Sequence, residues 1–111
     1  MANSYPPIAI TVASGATVSS EFDIEGAEVV GLELPAAFTS TLISFQVRSY
    51  NNPTSQTLYD DLNNLISLIV AQGHSYSLVN IAAALMPWRY AKLVCGSAEG
   101  AARTINISRK G

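Results

Sequence analysis

Nucleophilic catalysis needs a nucleophile with a base in hydrogen-bond reach, and for that the sequence offers one histidine and one cysteine, His74 and Cys95. His74 lies in Gln72-Gly73-His74-Ser75, a loop composition, and reads as an exposed turn histidine. Cys95 closes the apolar run Leu93-Val94-Cys95 before Gly96 and reads as a buried small thiol at a strand end. Carboxylates gather as Glu21, Asp23 and Glu25 and again as Asp60-Asp61. Both sets could offer hard oxygens to calcium, yet neither has the spacing of a calcium loop; a solvated strand face and a turn account for them. The single histidine leaves no zinc-type ligand spacing, and a lone cysteine forms no internal disulfide. Residues 12–16 and 95–100 contain glycine but lack the lysine and the strand-to-helix setting of a phosphate loop, so they read as turns. Asn106-Ile107-Ser108 spells a glycosylation acceptor but reads as strand. Tyr50, Tyr59, Tyr76, Trp88 and Tyr90 could build a platform for sugar rings, or serve as core and interface anchors. These residues predict no catalytic centre, no cofactor and no metal.

The elements that would carry them alternate with a period near two, punctuated by breakers every eight to twelve residues or so, which is the pattern of a sandwich or barrel. Ile8, Ile10 and Val12 alternate with Ala9 and Thr11, and Ser14-Gly15 turns the chain into Thr17, Val18 and Ser19 as a hairpin or corner. Phe22 and Ile24 alternate with the acidic residues, and Gly26 ends that strand. Val30, Leu32 and Leu34 define the next, stopped by Pro35. Ile43, Phe45 and Val47 oppose Ser44, Gln46 and Arg48, and Asn51-Asn52-Pro53-Thr54 closes the segment. Residues 58–69 fit either one helical face or two strands around a turn at 61–64, and the two strands are favoured. Residues 75–79 read as a strand, residues 80–86 as one helical turn with Asn80 near its N-cap, forming a crossover before Pro87. Residues 88–95 and 104–108 supply the last two strands, the latter with Ile105 and Ile107 inward. The expectation is an all-β fold, a two-sheet antiparallel sandwich resembling a jelly roll, with about eight strands and at most one short helical turn. Residues 1–7 form an N-terminal arm and residues 8–111 a single domain.

Composition narrows what such a domain does. At 111 residues with net charge −2, it has no basic surface for a phosphate backbone, so nucleic acid is not an expected partner. Only 13% of residues are charged while 49% are hydrophobic, against roughly a quarter charged in ordinary soluble domains. A subunit that hides part of its exterior against neighbours tolerates this shortage better than a monomer does. Residues 62–88 contain no Asp, Glu, Lys or Arg, but Asn63, Asn64, Gln72, Gly73, His74 and Asn80 interrupt the stretch, so it does not read as a membrane span. The first seven residues place no positive charge before an apolar run, so no signal peptide is expected and the cytoplasm is the predicted site of synthesis.

Two longer segments, residues 10–20 (Ile10-Thr11-Val12-Ala13-Ser14-Gly15-Ala16-Thr17-Val18-Ser19-Ser20) and 30–39 (Val30-Gly31-Leu32-Glu33-Leu34-Pro35-Ala36-Ala37-Phe38-Thr39), resemble a family of small virion proteins of tailed phages and prophages. Phe45-Gln46-Val47, Leu58-Tyr59-Asp60, Trp88-Arg89-Tyr90-Ala91-Lys92-Leu93 and Ala101-Ala102-Arg103-Thr104-Ile105 follow in the same order, so the resemblance spans nearly the whole chain. Between Asp61 and Ser77 the sequence departs from the family pattern, which there is more often Gly- or Glu-containing. The resemblance implies a particle component without enzymatic activity. Its expected role is a capsid cement or decoration protein on the capsid exterior, assembled in the host cytoplasm, that binds the major capsid protein and copies of itself, with a trimer favoured. A tail, baseplate or head-fibre component, or a carbohydrate-binding adsorption module, is the alternative. The expected contact set is residues 2–7 and 63–88, with Tyr5, Pro6, Pro7, Tyr76 and Trp88 as anchors.

Overall fold

The computed structural model describes residues 5–24 and 26–110. They form β1 (Ile8–Val12), β2 (Phe22–Asp23), β3 (Glu28–Glu33), β4 (Leu42–Arg48), β5 (Gln56–Thr57), β6 (Ser67–Ile69), β7 (Ser75–Ser77), helix α1 (Val79–Leu85), β8 (Tyr90–Cys95) and β9 (Arg103–Lys110). One sheet has the order β1-β9-β3-β7 and the other β2-β8-β4-β5, with β6 also on β4. All pairings are antiparallel. Along the chain the first four strands alternate between sheets, and β7, β8 and β9 do so again, which winds the sandwich as a jelly roll. Both β5 and β6 lie on the same side of β4, at Gln46–Val47 and at Leu42–Ser44. They share one place in the sheet, which is why nine strands appear where about eight were expected.

Alternation builds the core. Ile10 and Val12, then Ile43, Phe45 and Val47, then Ala91, Leu93 and Cys95, then Ile105 and Ile107, all point between the sheets and are buried. Each large apolar side chain so placed contributes about 1.5–3 kcal/mol relative to exposure. Phe38, outside any strand, and Leu85 of α1 fill the ends of the same core.

Several local expectations are corrected. On β3 the register with β9 runs Val29↔Arg109 and then Gly31↔Ser108, so Val30 is an extra residue without a partner on β9. The bulge changes the parity: Val29 is buried and Val30 is only half-buried, its carbonyl accepting the Leu78 N–H at 2.9 Å. Glycine follows because a Cβ at position 31 would stand 3.1 Å from the Ser108 Cβ. The segment after Ser14-Gly15 is a corner rather than a hairpin: β1 pairs with β9, while Val18 bridges to Val94 of the opposite sheet.

Residues 58–69 form the two-stranded alternative. Tyr59 bridges Leu65, and the Asp60 carboxylate accepts the Leu62 and Asn64 N–H groups at 2.9 and 2.8 Å across the turn. Asn63 takes the left-handed conformation, φ 64°, which asparagine tolerates better than most residues. The strand expected over 75–79 stops at Ser77, and α1 begins at Val79 with Leu78, not Asn80, at its N-cap. No side-chain cap hydrogen bond holds this end; burial of Ala82 and Leu85 against β3 holds the helix instead. The helix is seven residues long, about two turns instead of one, and it does form the crossover to the opposite sheet. Trp88 and Arg89 belong to the link after it, so β8 starts at Tyr90.

Candidate functional site

The chemistry-bearing residues singled out above are dispersed. Cys95 is buried at the end of β8, and burial raises its thiol pKa, whereas His74 is exposed in the turn before β7 with its ring edge-on to Tyr76. Glu21 forms a two-point ion pair with Arg48 at 2.9 and 2.8 Å, and Asp23 forms another with Arg89 at 2.6 and 2.8 Å. The Glu21 carboxyl sits below its ordinary range, mainly through the hydrogen bond from Arg48. Glu25 lies outside the described residues. Among the described residues, no group of three His, Cys, Asp or Glu side chains could hold a metal ion.

Of the tyrosines, Tyr90 lies beneath the Arg48 guanidinium, 4.0 Å from the ring centroid, so that face of the ring is covered. Tyr50 is 67% exposed, 5.5 Å from the Arg89 guanidinium, and Tyr59 stands apart on its bridge to Leu65. The five expected anchors fall in three places: Tyr5, Pro6 and Pro7 in the segment before β1, Tyr76 on β7 and Trp88 after α1. Tyr5 and Pro6 meet at Arg109 of β9, whose guanidinium is 5.1 Å from the Tyr5 ring and donates to the Pro6 carbonyl at 3.3 Å. Pro7 is exposed beside them. Tyr76 is half-buried on β7, its hydroxyl accepting the Ala71 N–H at 2.7 Å, and Trp88 is half-buried against the core. Residues 2–4 of the expected arm lie outside the described residues.

Glu99 is the residue that sequence reasoning missed. Its side chain is fully buried in the turn between β8 and β9. One carboxylate oxygen accepts the Thr39 N–H and the Arg103 Nε–H, both at 2.9 Å; the other accepts the Ser40 N–H at 2.9 Å and the Thr39 and Ser40 hydroxyls at 2.9 and 2.7 Å. Burial alone would raise its pKa, but these donors overcome that and hold it at about 2. The Glu99 carbonyl also accepts the Gly15 N–H at 2.8 Å, so one residue ties three loops together. With every lone-pair direction engaged it is a clamp, not an acid–base group.

What the fold does gather is apolar surface. Residues 62–88, free of charge, become β6, β7 and α1, and Leu62 (77% exposed), Leu65, Ile69 (80%), Val79 (81%) and Met86 all lie within them and face outward. β6 and β7 are edge strands of opposite sheets. Between them runs a shallow groove of about 280 Å³, lined by Ser67 and Leu68 on one side and residues 77–81 on the other. Glu28 and Lys110 stand beside Val79 at the margin of this surface. No helix among the described residues is long and apolar enough to cross a membrane. No protein-family model, curated protein or solved structure matches the chain.

Proposed function

We propose that this chain is a structural subunit of a tailed-phage virion, a capsid cement or decoration protein that binds the outer surface of the major capsid protein and stabilises the shell. The observation that carries this reading is the stretch 62–88, which has no charged residue in sequence and leaves Leu62, Leu65, Ile69 and Val79 exposed on the jelly roll. The sequence resemblance supplies the particle. Physically, a cement protein adds buried area between shell subunits that must withstand internal pressure, and about 800 Å² per partner already makes a specific contact. Repetition over a symmetric lattice then multiplies the avidity. The test is the ratio of this chain to the major capsid protein in purified particles by quantitative mass spectrometry. A ratio near one is expected; a handful of copies per particle would overturn the cement role.

A second reading, a tail or fibre adsorption module that binds carbohydrate, is favoured by one feature. Tyr50 is 67% exposed with the Arg89 guanidinium, itself paired with Asp23, 5.5 Å from its ring centroid, an aromatic face with a polar neighbour that resembles the stacking face and rim of a sugar site. Glycan-array binding that is lost in Tyr50→Ala would support it over the cement role.

A further inference from the structure

Strand β9 carries an arginine at each end of its buried run and on the same parity, Arg103 before Ile105 and Arg109 after Ile107. Their surroundings differ. Arg103 gives its Nε–H to the buried Glu99 carboxylate at 2.9 Å. Arg48 and Arg89, both more exposed than Arg109, each place Nε–H and Nη2–H side by side on one carboxylate, at 2.9 and 2.8 Å and at 2.6 and 2.8 Å. Arg109 is only 9% exposed, yet it has no carboxylate partner among the described residues. Its Nη1 donates to the Asp23 carbonyl of the opposite sheet and its Nη2 to the Pro6 carbonyl, both at 3.3 Å. Its Nε–H is cut off from solvent and has no acceptor. Two long bonds to neutral carbonyls do not offset the lost hydration of a guanidinium as a side-on carboxylate does.

The segment before β1 lies over this guanidinium. Tyr5 is half-buried with its ring centroid 5.1 Å away, and Pro6 supplies the Nη2 acceptor. Pro6 and Pro7 have no N–H to give β9, so the ladder begins at Ile8 and the segment lifts without breaking it. We propose that Arg109 is a carboxylate-binding residue closed by a strap, residues 5–7, whose Pro6 carbonyl stands in for the ligand. With the strap lifted, the Nε–Nη2 edge receives a carboxylate side-on, the geometry already present at Arg48 and Arg89, while the Asp23 carbonyl keeps Nη1 in place. The Asp23 carboxylate does not compete for that edge, because Arg89 engages both of its oxygens. The ligand is a carboxylate group, carried by an acidic side chain of a protein partner or by a small free acid. The strap sets the affinity, since binding weakens by the fraction of time that the site is closed. This site is independent of the particle to which the chain belongs.

Nitrogen-15 NMR of the arginine Nε–H groups in the full chain tests this, with sodium formate exchanged for sodium chloride at constant ionic strength. The Arg109 resonance, assigned by through-bond correlation to its own backbone, is expected to shift saturably with formate. Those of Arg48, Arg89 and Arg103, whose Nε–H groups already serve carboxylates, are expected to stay fixed. Tyr5→Ala loosens the strap and is expected to tighten formate binding at least about tenfold. The same titration with N-acetylglutamate N-methylamide separates the two sources: a matching shift assigns an acidic side chain, and a shift with formate alone assigns a small free acid. An Arg109 signal indifferent to formate, a shift shared by all four arginines, or equal formate affinity in wild type and Tyr5→Ala would each overturn the proposal. Circular dichroism matching the wild type confirms that Tyr5→Ala remains folded.

Discussion

Replacing Glu99 with glutamine removes one charge and leaves the shape of the side chain unchanged, so it isolates what the buried carboxylate does. One oxygen serves Thr39 N–H and Arg103 Nε–H, the other Ser40 N–H and the two hydroxyls. An amide keeps one oxygen, so whichever way it turns, its NH₂ faces one of these sets of donors. The shift from 4.5 to about 2 sets the scale: roughly 3 kcal/mol of differential stabilisation of the charged form. Glu99→Gln is therefore expected to lose about 3 kcal/mol at pH 7, or roughly 10–20 °C in Tm for a domain of this size. The pH dependence follows from a folded-state pKa below the unfolded one. The Glu99 contribution is complete above about pH 4.5 and is lost as the pH falls toward about 2, so the gap between wild type and variant narrows across that window. The remaining carboxylates are common to both proteins and cancel in the difference. Urea titrations followed by the fluorescence of Trp88, the single tryptophan, measure the gap at each pH. A loss below about 1 kcal/mol at pH 7, or a gap that stays constant from pH 6 to 2, would refute the clamp.

Tyr76→Phe removes the acceptor of the Ala71 N–H at 2.7 Å and is expected to cost about 1–2 kcal/mol in chemical denaturation; an unchanged midpoint would mean that solvent satisfies that N–H instead. The Cys95 thiol, buried and with its pKa raised by that burial, should react with a disulfide reagent at pH 8 on the order of a thousandfold more slowly than in denaturant, and fast labelling of the native protein would contradict its position. Gly31→Val places a branched Cβ against Ser108 and is expected to destabilise by about 1–3 kcal/mol. The Ser108→Gly background should recover part of that loss, and a double-mutant cycle with no coupling would show that the close approach is not the cause.

Strands with one wet face were legible because burial imposes a period of two on them: Ile43, Phe45 and Val47, or Ile105 and Ile107, announce both the strand and its inward side. The period fails where geometry inserts a residue. Val29 and Val30 are chemically identical neighbours, and only the bulge against β9 decides which of them is buried. The two-residue strand β5 is too short to carry any period, and both of its residues are exposed. Glu99 was hidden for a different reason: Thr39 and Ser40 stand about sixty residues away, and the one local trace is Arg103 four positions on in a charge-poor chain. The charge-free stretch is the opposite case. Its chemistry could be read directly from composition, yet a charge-free run of 27 residues could equally have become core. The jelly-roll winding sends β6 to an edge of one sheet and β7 to an edge of the other, so part of this stretch faces a shared groove instead of the core. Topology therefore converts a compositional bias into exposed apolar surface at two sheet edges and on the helix between them.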